Sequence, residues 1–240
     1  MDRAMQASAS GMAAQQQTLD TIADNLANAD VAGFKSAQET FAAVGADGRL
    51  GTVATGTQRV FVQGKLMKTG GPFDVAIDGR GFFQVERAGE RGYTRAGAFA
   101  RAADGTLRNP DGWTLRGVRI PRDAATVTVA PDGRVTATLE NGTTRTAGRV
   151  RLAAFPAPEN LRSAGSAVFA ATAGSGAPHE IAAGGDGQPK IAFGALEKSN
   201  VSIVESMMAI LAAQRAYEAN AKGVQAADEM QRIANNLHRT

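Results

Sequence analysis

At 240 residues, with 43% apolar side chains, the chain is long enough to bury the core of one good-sized domain or two small ones. The formal net charge is +3 with the basic residues scattered, which gives a nucleic-acid interface little support, and the absence of cysteine excludes disulfide frameworks, thiolate metal sites and cysteine nucleophiles. Aromatic residues are only 5% against 28 glycines, a balance that predicts thin β layers and close-packed helices, not a bulky aromatic centre.

The N-terminal stretch MDRAMQASASGMAAQQQ has no apolar run of signal-peptide length, and no stretch approaches the ~20 apolar residues of a membrane helix. The expectation is a chain without membrane insertion that leaves the cytoplasm, if it does, without a cleaved leader. Met5, Met12, Leu19 and Leu26 recur every seven residues, with Ile22 and Ala23 on the same face and Gln, Ser, Thr and Asp between them. This narrow heptad-type seam predicts a helix over about residues 3–28, roughly 40 Å long. It runs into DNLANADVAGFKSAQETF, residues 24–41, where the polar break asks for two reversals. Asn28 is a candidate left-handed cap and Gly33 permits the second sharp turn. Phe34 is expected to project its ring from this turn, with the stem of Lys35 alongside.

From about residue 45 to 195 the pattern changes to short β-type runs: DVAI, GFFQV, TVTV, RVTATL and RVRLAAF. Asp-Gly pairs at Asp47, Asp78, Asp104, Asp111, Asp132 and Asp186, and Asn-Gly at Asn141, supply the positive φ that tight hairpins need. Alternation places Val127 with Val129, Val135 with Leu139, and Val150 with Leu152 on single faces, and Trp113 is expected to cap this core.

The last zone opens with a capping-box pattern, Ser202 followed by Glu205, before an apolar run. Ile203, Ile210, Tyr217 and Val224 then repeat every seven residues, drifting afterwards to Met230, Ile233 and Leu237. A helix over about residues 202–238 would be roughly 55 Å long. Fold class is therefore α+β: long terminal helices pairing in coiled-coil fashion bracket a central, mostly antiparallel β domain. The zones divide as 1–44, 45–197 and 198–240. A lone helix with so narrow a seam is marginal in water and needs a partner along its length. Nine alanines between Ala209 and Ala234 let several backbones approach, which suggests a multi-helix bundle of several copies. The plainer alternative is a non-polymerising β-domain binding module with a self-contained helical hairpin.

Chemistry is poorly supported. His179 lies in a Gly/Ala/Pro-rich loop and His238 in the last three residues, and both read as solvated side chains. No HExxH, G-x-S-x-G, P-loop or G-x-G-x-x-G pattern occurs, and the Asp-Gly pairs lack calcium-loop spacing. The expectation is no enzyme, no cofactor and no metal.

IADNLANADVAGFK, residues 22–35, resembles the N-terminal signature of the flagellar rod and hook axial proteins, and SNVSIVESMMAILAAQRAYEANAK, residues 199–222, resembles the matching C-terminal signature. Between them QGKLMKTGGPFDVAIDGRGFFQV and YTRAGAFARAADGTLRNPDGWTL look like the core β domain of the rod members. Asp24 stands where that family commonly has asparagine and Val31 where it has threonine or a similar small polar residue. The short segment from Lys35 to Gln58 and the opening MDRAM look like the proximal-rod type, whereas residues 214–237 look more like the distal-rod type. The resemblance implies a structural subunit of the basal-body rod, exported through the flagellum's own type III apparatus and polymerised beneath a rod cap. The product is a helical drive shaft that crosses the periplasm and transmits torque to the hook. Its partners would be further copies and other rod and hook axial proteins, with terminal helices forming an inner tube and the β domain an outer layer. Transferred onto this chain, the subunit contacts fall on Asn25, Leu26 and Asn28, on Gly33, Phe34 and Lys35, on Asn200 and Ser202, and on Gln214, Arg215, Tyr217, Glu218 and Asn220. The turn would then act as hinge and lock, with Phe34 set against a neighbouring subunit.

Overall fold

A computed structural model describes residues 2–44, 51–165 and 167–237, with side chains described over 5–43, 51–165 and 167–233. His238 and the Asp47 turn lie outside the described residues. The chain forms two compact units, one of Met1–Ala27, Ala37–Val60 and Val201–Thr240, the other of Asn28–Ser36 and Phe61–Asn200.

The first, helical unit contains α1 (Asp2–Ala27), a hairpin of β1 (Ala37–Val44) and β2 (Gly51–Arg59), and α2 (Ile203–Leu237). The Glu205 N–H donates to Ser202 Oγ at 3.3 Å, so the expected N-terminal cap of α2 is made. The helices pack antiparallel, since Gly11 lies against Asn220 and Gly223 against Ser8. Small residues carry this packing: Ala14 of α1 and Ala213 and Ala227 of α2 are buried. Of the heptad residues expected to form the seam, Ile203 and Tyr217 are exposed, while Met5, Met12, Leu19, Leu26, Ile210 and Val224 are half-buried. Close approach of two backbones favours alanine, glycine and serine at the contact, and this pushes the bulky stripe aside.

Neither strand of the β1-β2 hairpin is among the β-type runs expected from the residue pattern. The hairpin is fixed to α1 by polar contacts: the Thr52 N–H donates to Ser10 Oγ at 3.2 Å, and the Thr21 hydroxyl donates to Glu39 Oε1 at 2.8 Å.

The second, β unit holds β3 (Leu66–Lys68), β4 (Val75–Asp78), β5 (Phe82–Arg87), β6 (Glu90–Thr94), β7 (Ala100–Arg101), β8 (Leu107–Arg108), β9 (Thr114–Leu115), β10 (Ala124–Val129), β11 (Arg134–Leu139), β12 (Thr144–Arg149), β13 (Leu152–Ala154), β14 (Arg162–Ser163), β15 (Val168–Ala170), β16 (His179–Ile181), β17 (Lys190–Phe193) and β18 (Ala195–Glu197). The largest sheet runs β14-β15-β6-β5-β9-β8-β7, with β13 joining β5 and β16; β10-β11-β12 form a second, and β17-β4 and β18-β3 are separate pairs. Every strand pairing described is antiparallel, as expected. Gly79, Gly105, Gly112, Gly133, Gly142 and Gly187 of the Asx-Gly pairs all take positive φ, and at Gly105, Gly112, Gly133 and Gly142 this closes the hairpins β7-β8, β8-β9, β10-β11 and β11-β12.

Adjacent residues of a strand face opposite ways, and Phe82 and Phe83 use this to serve two cores. Phe83 joins Val75, Ile77, Val85, Leu115 and Trp113 in the larger one. Phe82 joins Tyr93, Phe155, Leu161 and Phe169 in the smaller, with half-buried Phe61 packed against it. Here the composition misled: the few aromatics are concentrated into an edge-to-face cluster, Phe61 lying 5.0 Å from Phe169 and Tyr93 4.7 Å from Phe155.

Candidate functional site

Two features gather the residues singled out by sequence. The first is built on the turn after α1. Asn25 is buried in the helical unit, where its Nδ2 donates to the Ala37 carbonyl at 2.8 Å and its Oδ1 accepts from the Ala37 N–H at 2.7 Å. The last turn of α1 is thereby tied to the first residue of β1, with Leu26 half-buried beside it. The intervening residues 28–36 belong to the β unit. Asn28 opens the turn by accepting from the Val31 N–H at 3.1 Å, and Phe34 N–H returns to the Val31 carbonyl at 3.2 Å. The left-handed position of the turn is Gly33, at φ 71°, and not Asn28 as expected. A Cβ on Gly33 would stand 2.2 Å from the Ala96 nitrogen, so both conformation and space demand glycine there.

Lys35 and Phe34 require correction. Phe34 is buried within the chain, not projecting from it, and Lys35 is completely buried instead of lying along the surface. The reason is a carboxylate that the residue pattern did not single out. Glu197 Oε1 accepts from Lys35 Nζ at 2.6 Å and from the Gly64 N–H at 2.8 Å, while Glu197 Oε2 accepts from Arg95 Nε at 2.8 Å. Lys35 Nζ also donates to the Val62 carbonyl at 2.6 Å. The remaining Arg95 nitrogens donate to the carbonyls of Gly79, Gly81 and Ile77. Burial pushes the Lys35 ammonium below its ordinary pKa; the hydrogen bond and charge of Glu197 oppose this, and Arg95 adds to it.

Around this ion triad the backbone closes a clasp. Gly33 N–H donates to the Glu197 carbonyl at 2.7 Å, and Lys198 N–H to the Lys65 carbonyl at 2.9 Å. Asn200 Oδ1 accepts from the Ser36 N–H at 2.8 Å, and its Nδ2 reaches the Val62 carbonyl at 3.4 Å. Segments 33–36, 62–65 and 197–200 thus meet on one carboxylate, and each lies next in sequence to a stretch of the helical unit. Of the predicted residues, Gly33, Lys35 and Asn200 are brought together here. Arg95 and Glu197 were missed. A signal for Glu197 was present in A-L-E, residues 195–197, where period-two alternation puts it on the same buried face as Ala195.

The second feature is the free face of α2. Val204, Met207, Met208 and Leu211, spaced i, i+3, i+4 and i+7, are 55–67% exposed, and Met230 and Ile233 are exposed further along. Gln214, Arg215, Tyr217 and Glu218 are exposed on the same helix, whereas Asn220 faces Gly11 of α1. His179 is exposed. Among the described residues no helix is long and apolar enough to cross a membrane, and no cluster of His, Cys, Asp or Glu could hold a metal ion.

Paired terminal helices and an antiparallel β unit reproduce the α+β arrangement expected of an axial protein. Three family matches agree, in chain order: "Flagella basal body rod protein" over residues 5–35, "Flagellar hook protein FlgE/F/G D1 domain" over 76–137 and "Flagellar basal body rod FlgEFG protein C-terminal" over 193–237. The chain is similar along its whole length to the flagellar basal-body rod protein FlgG of Borreliella burgdorferi, at 36% identity covering 100% of both chains. It is 36% identical to the FlgG of Agrobacterium fabrum over 97% of this chain and 98% of that one. The FlgF rod protein of Caulobacter vibrioides is 32% identical over 98% and 97%. The chain belongs to the flagellar basal-body rod protein family. Its relatives are structural rod proteins of the basal body, so no catalytic role is assigned.

Proposed function

We propose that the chain is a structural subunit of the bacterial flagellar rod, of the FlgG type, that polymerises through its terminal helices into the shaft joining motor to hook. The observation that carries this reading is the exposed stripe Val204–Met207–Met208–Leu211 on α2, left open because small residues already satisfy the contact with α1. Covering the exposed part of each side chain gains on the order of 1–2 kcal/mol, enough in sum to drive association of long helices. In this reading coiled-coil packing of the bulky stripe occurs between copies. The helical unit supplies the contacts between copies. Partners are further copies and other rod and hook axial proteins, and delivery is by type III export to a site beneath a rod cap. Asn25, Asn28, Gly33, Lys35 and Asn200 act indirectly, holding the chain where it enters the helices. Ser202 caps α2, and Gln214, Arg215, Tyr217 and Glu218 contact neighbours.

The test is sedimentation of the purified chain over a wide concentration range, with Met208→Glu/Leu211→Lys as control. Concentration-dependent polymers that the double substitution abolishes, with tryptophan fluorescence unchanged, support the assignment. A compact monomer at every concentration would favour the self-contained binding module instead.

A further inference from the structure

A cavity of about 710 Å³ opens in the β unit. Its floor is aromatic: Phe82 meets Phe61 edge-on at 5.1 Å and Phe155 at 5.9 Å, and the exposed Val62 adds an apolar wall. Most polar groups at its margin are already committed. Arg95 spends its donors on Glu197 and three backbone carbonyls, and Gln63 bonds Asp78 Oδ1 and the Gly79 N–H. Two polar side chains remain. Arg80 and His179 line the cavity, are exposed, and make no hydrogen bond or ion pair with any described residue. No described acidic side chain lines the cavity.

An uncommitted guanidinium beside a desolvated aromatic floor selects a ligand with a carboxylate next to a large apolar group. A polyphosphate would call for several free cations, and here a single arginine is uncommitted. We propose that this cavity is a docking site for an acidic peptide segment of a partner protein, its carboxylate on Arg80 and an aromatic or branched aliphatic side chain seated against Phe61, Phe82 and Phe155. The His179 imidazole takes a polar group of the same peptide. This site uses none of the α2 stripe, so it stands or falls separately from assembly through the helices.

The chain has only two histidines, which makes proton NMR of the imidazoles a direct readout. The full chain is titrated with acetyl-Asp-Leu-Phe-Glu-amide and with its neutral counterpart, acetyl-Asn-Leu-Phe-Gln-amide; His179→Gln identifies the resonance. The acidic peptide is expected to shift the His179 signal saturably and leave the other histidine unmoved. The neutral peptide, or Arg80→Gln with the acidic one, should bind about tenfold more weakly, the factor for loss of one charge-assisted hydrogen bond. Absence of a His179 shift at millimolar peptide, equal binding of the two peptides, or unchanged affinity in Arg80→Gln would each overturn the proposal.

Discussion

Removing the Glu197 carboxylate should be the most damaging single change at the clasp. Glu197→Ala removes the carboxylate that the buried Lys35 and Arg95 share, and the Gly64 N–H loses its acceptor. Breaking a buried ion pair from one side typically costs about 3–5 kcal/mol, and an orphaned buried N–H adds about 1–3. Against a whole-domain stability of about 5–15 kcal/mol, this is a large fraction. Lys35→Met is a different perturbation. It keeps an apolar stem, removes the cost of desolvating an ammonium, and leaves Glu197 bonded to Arg95 and Gly64, so its cost should stay below about 2 kcal/mol. Urea unfolding followed by fluorescence of Trp113, the one tryptophan and buried in the β unit's core, measures both. With a slope of about 1–3 kcal/mol per molar urea, Glu197→Ala should lower the midpoint by roughly 1–3 M. If Lys35→Met costs as much as Glu197→Ala, the carboxylate is not the hub and the reasoning fails.

The remaining predictions use the same assay. Because burial holds Lys35 below its ordinary value of 10.5, the folded state binds fewer protons than the unfolded one between the lowered pKa and 10.5. Stability of the native chain relative to Lys35→Met should therefore rise with pH through that window, and fall as pH drops through the folded value; a difference that shrinks as the pH approaches 10.5 would contradict the assignment. Gly33→Ala combines a left-handed φ with a Cβ 2.2 Å from the Ala96 nitrogen, and should cost more than about 2 kcal/mol; near-neutrality would mean that the turn is built differently. Phe34→Ala should destabilise the β unit by about 3–5 kcal/mol, since the ring is buried within the chain. A loss confined to assembly would restore the expectation of a projecting ring.

What the residues revealed in advance was mostly local. The Asx-Gly turns, the runs that became β4, β5, β10 and β11, and the capped start of α2 depend on neighbours within a few positions, which is why they could be read. The hairpin of β1 and β2 could not be, because AQETFAAV and GTVATGTQR are Ala-, Thr- and Gln-rich and show no clean alternation. Heptad counting picked out Ile203, Ile210, Tyr217 and Val224 in α2 but passed over the exposed Val204, Met207, Met208 and Leu211 beside them. Periodicity marks a face without saying which partner covers it, and within the chain the alanine and glycine positions meet α1. The clasp stayed hidden for another reason. Lys35 and Glu197 are 162 residues apart, and a single lysine or glutamate reads as solvated until its counter-ion is known. The motifs that suggested a rod protein contained Lys35 and Arg95 but not Glu197, and only the fold showed that their charges meet.

The central claim is that the α2 stripe is open in the single chain and buried between copies in the rod. Since the chain has no cysteine, Met208→Cys introduces a unique thiol at the middle of that stripe. Maleimide labelling of this variant should be rapid in the dilute purified chain and strongly suppressed in basal bodies isolated from cells that carry it. Equal labelling in the two would show that the stripe is not a subunit contact, and would contradict the account.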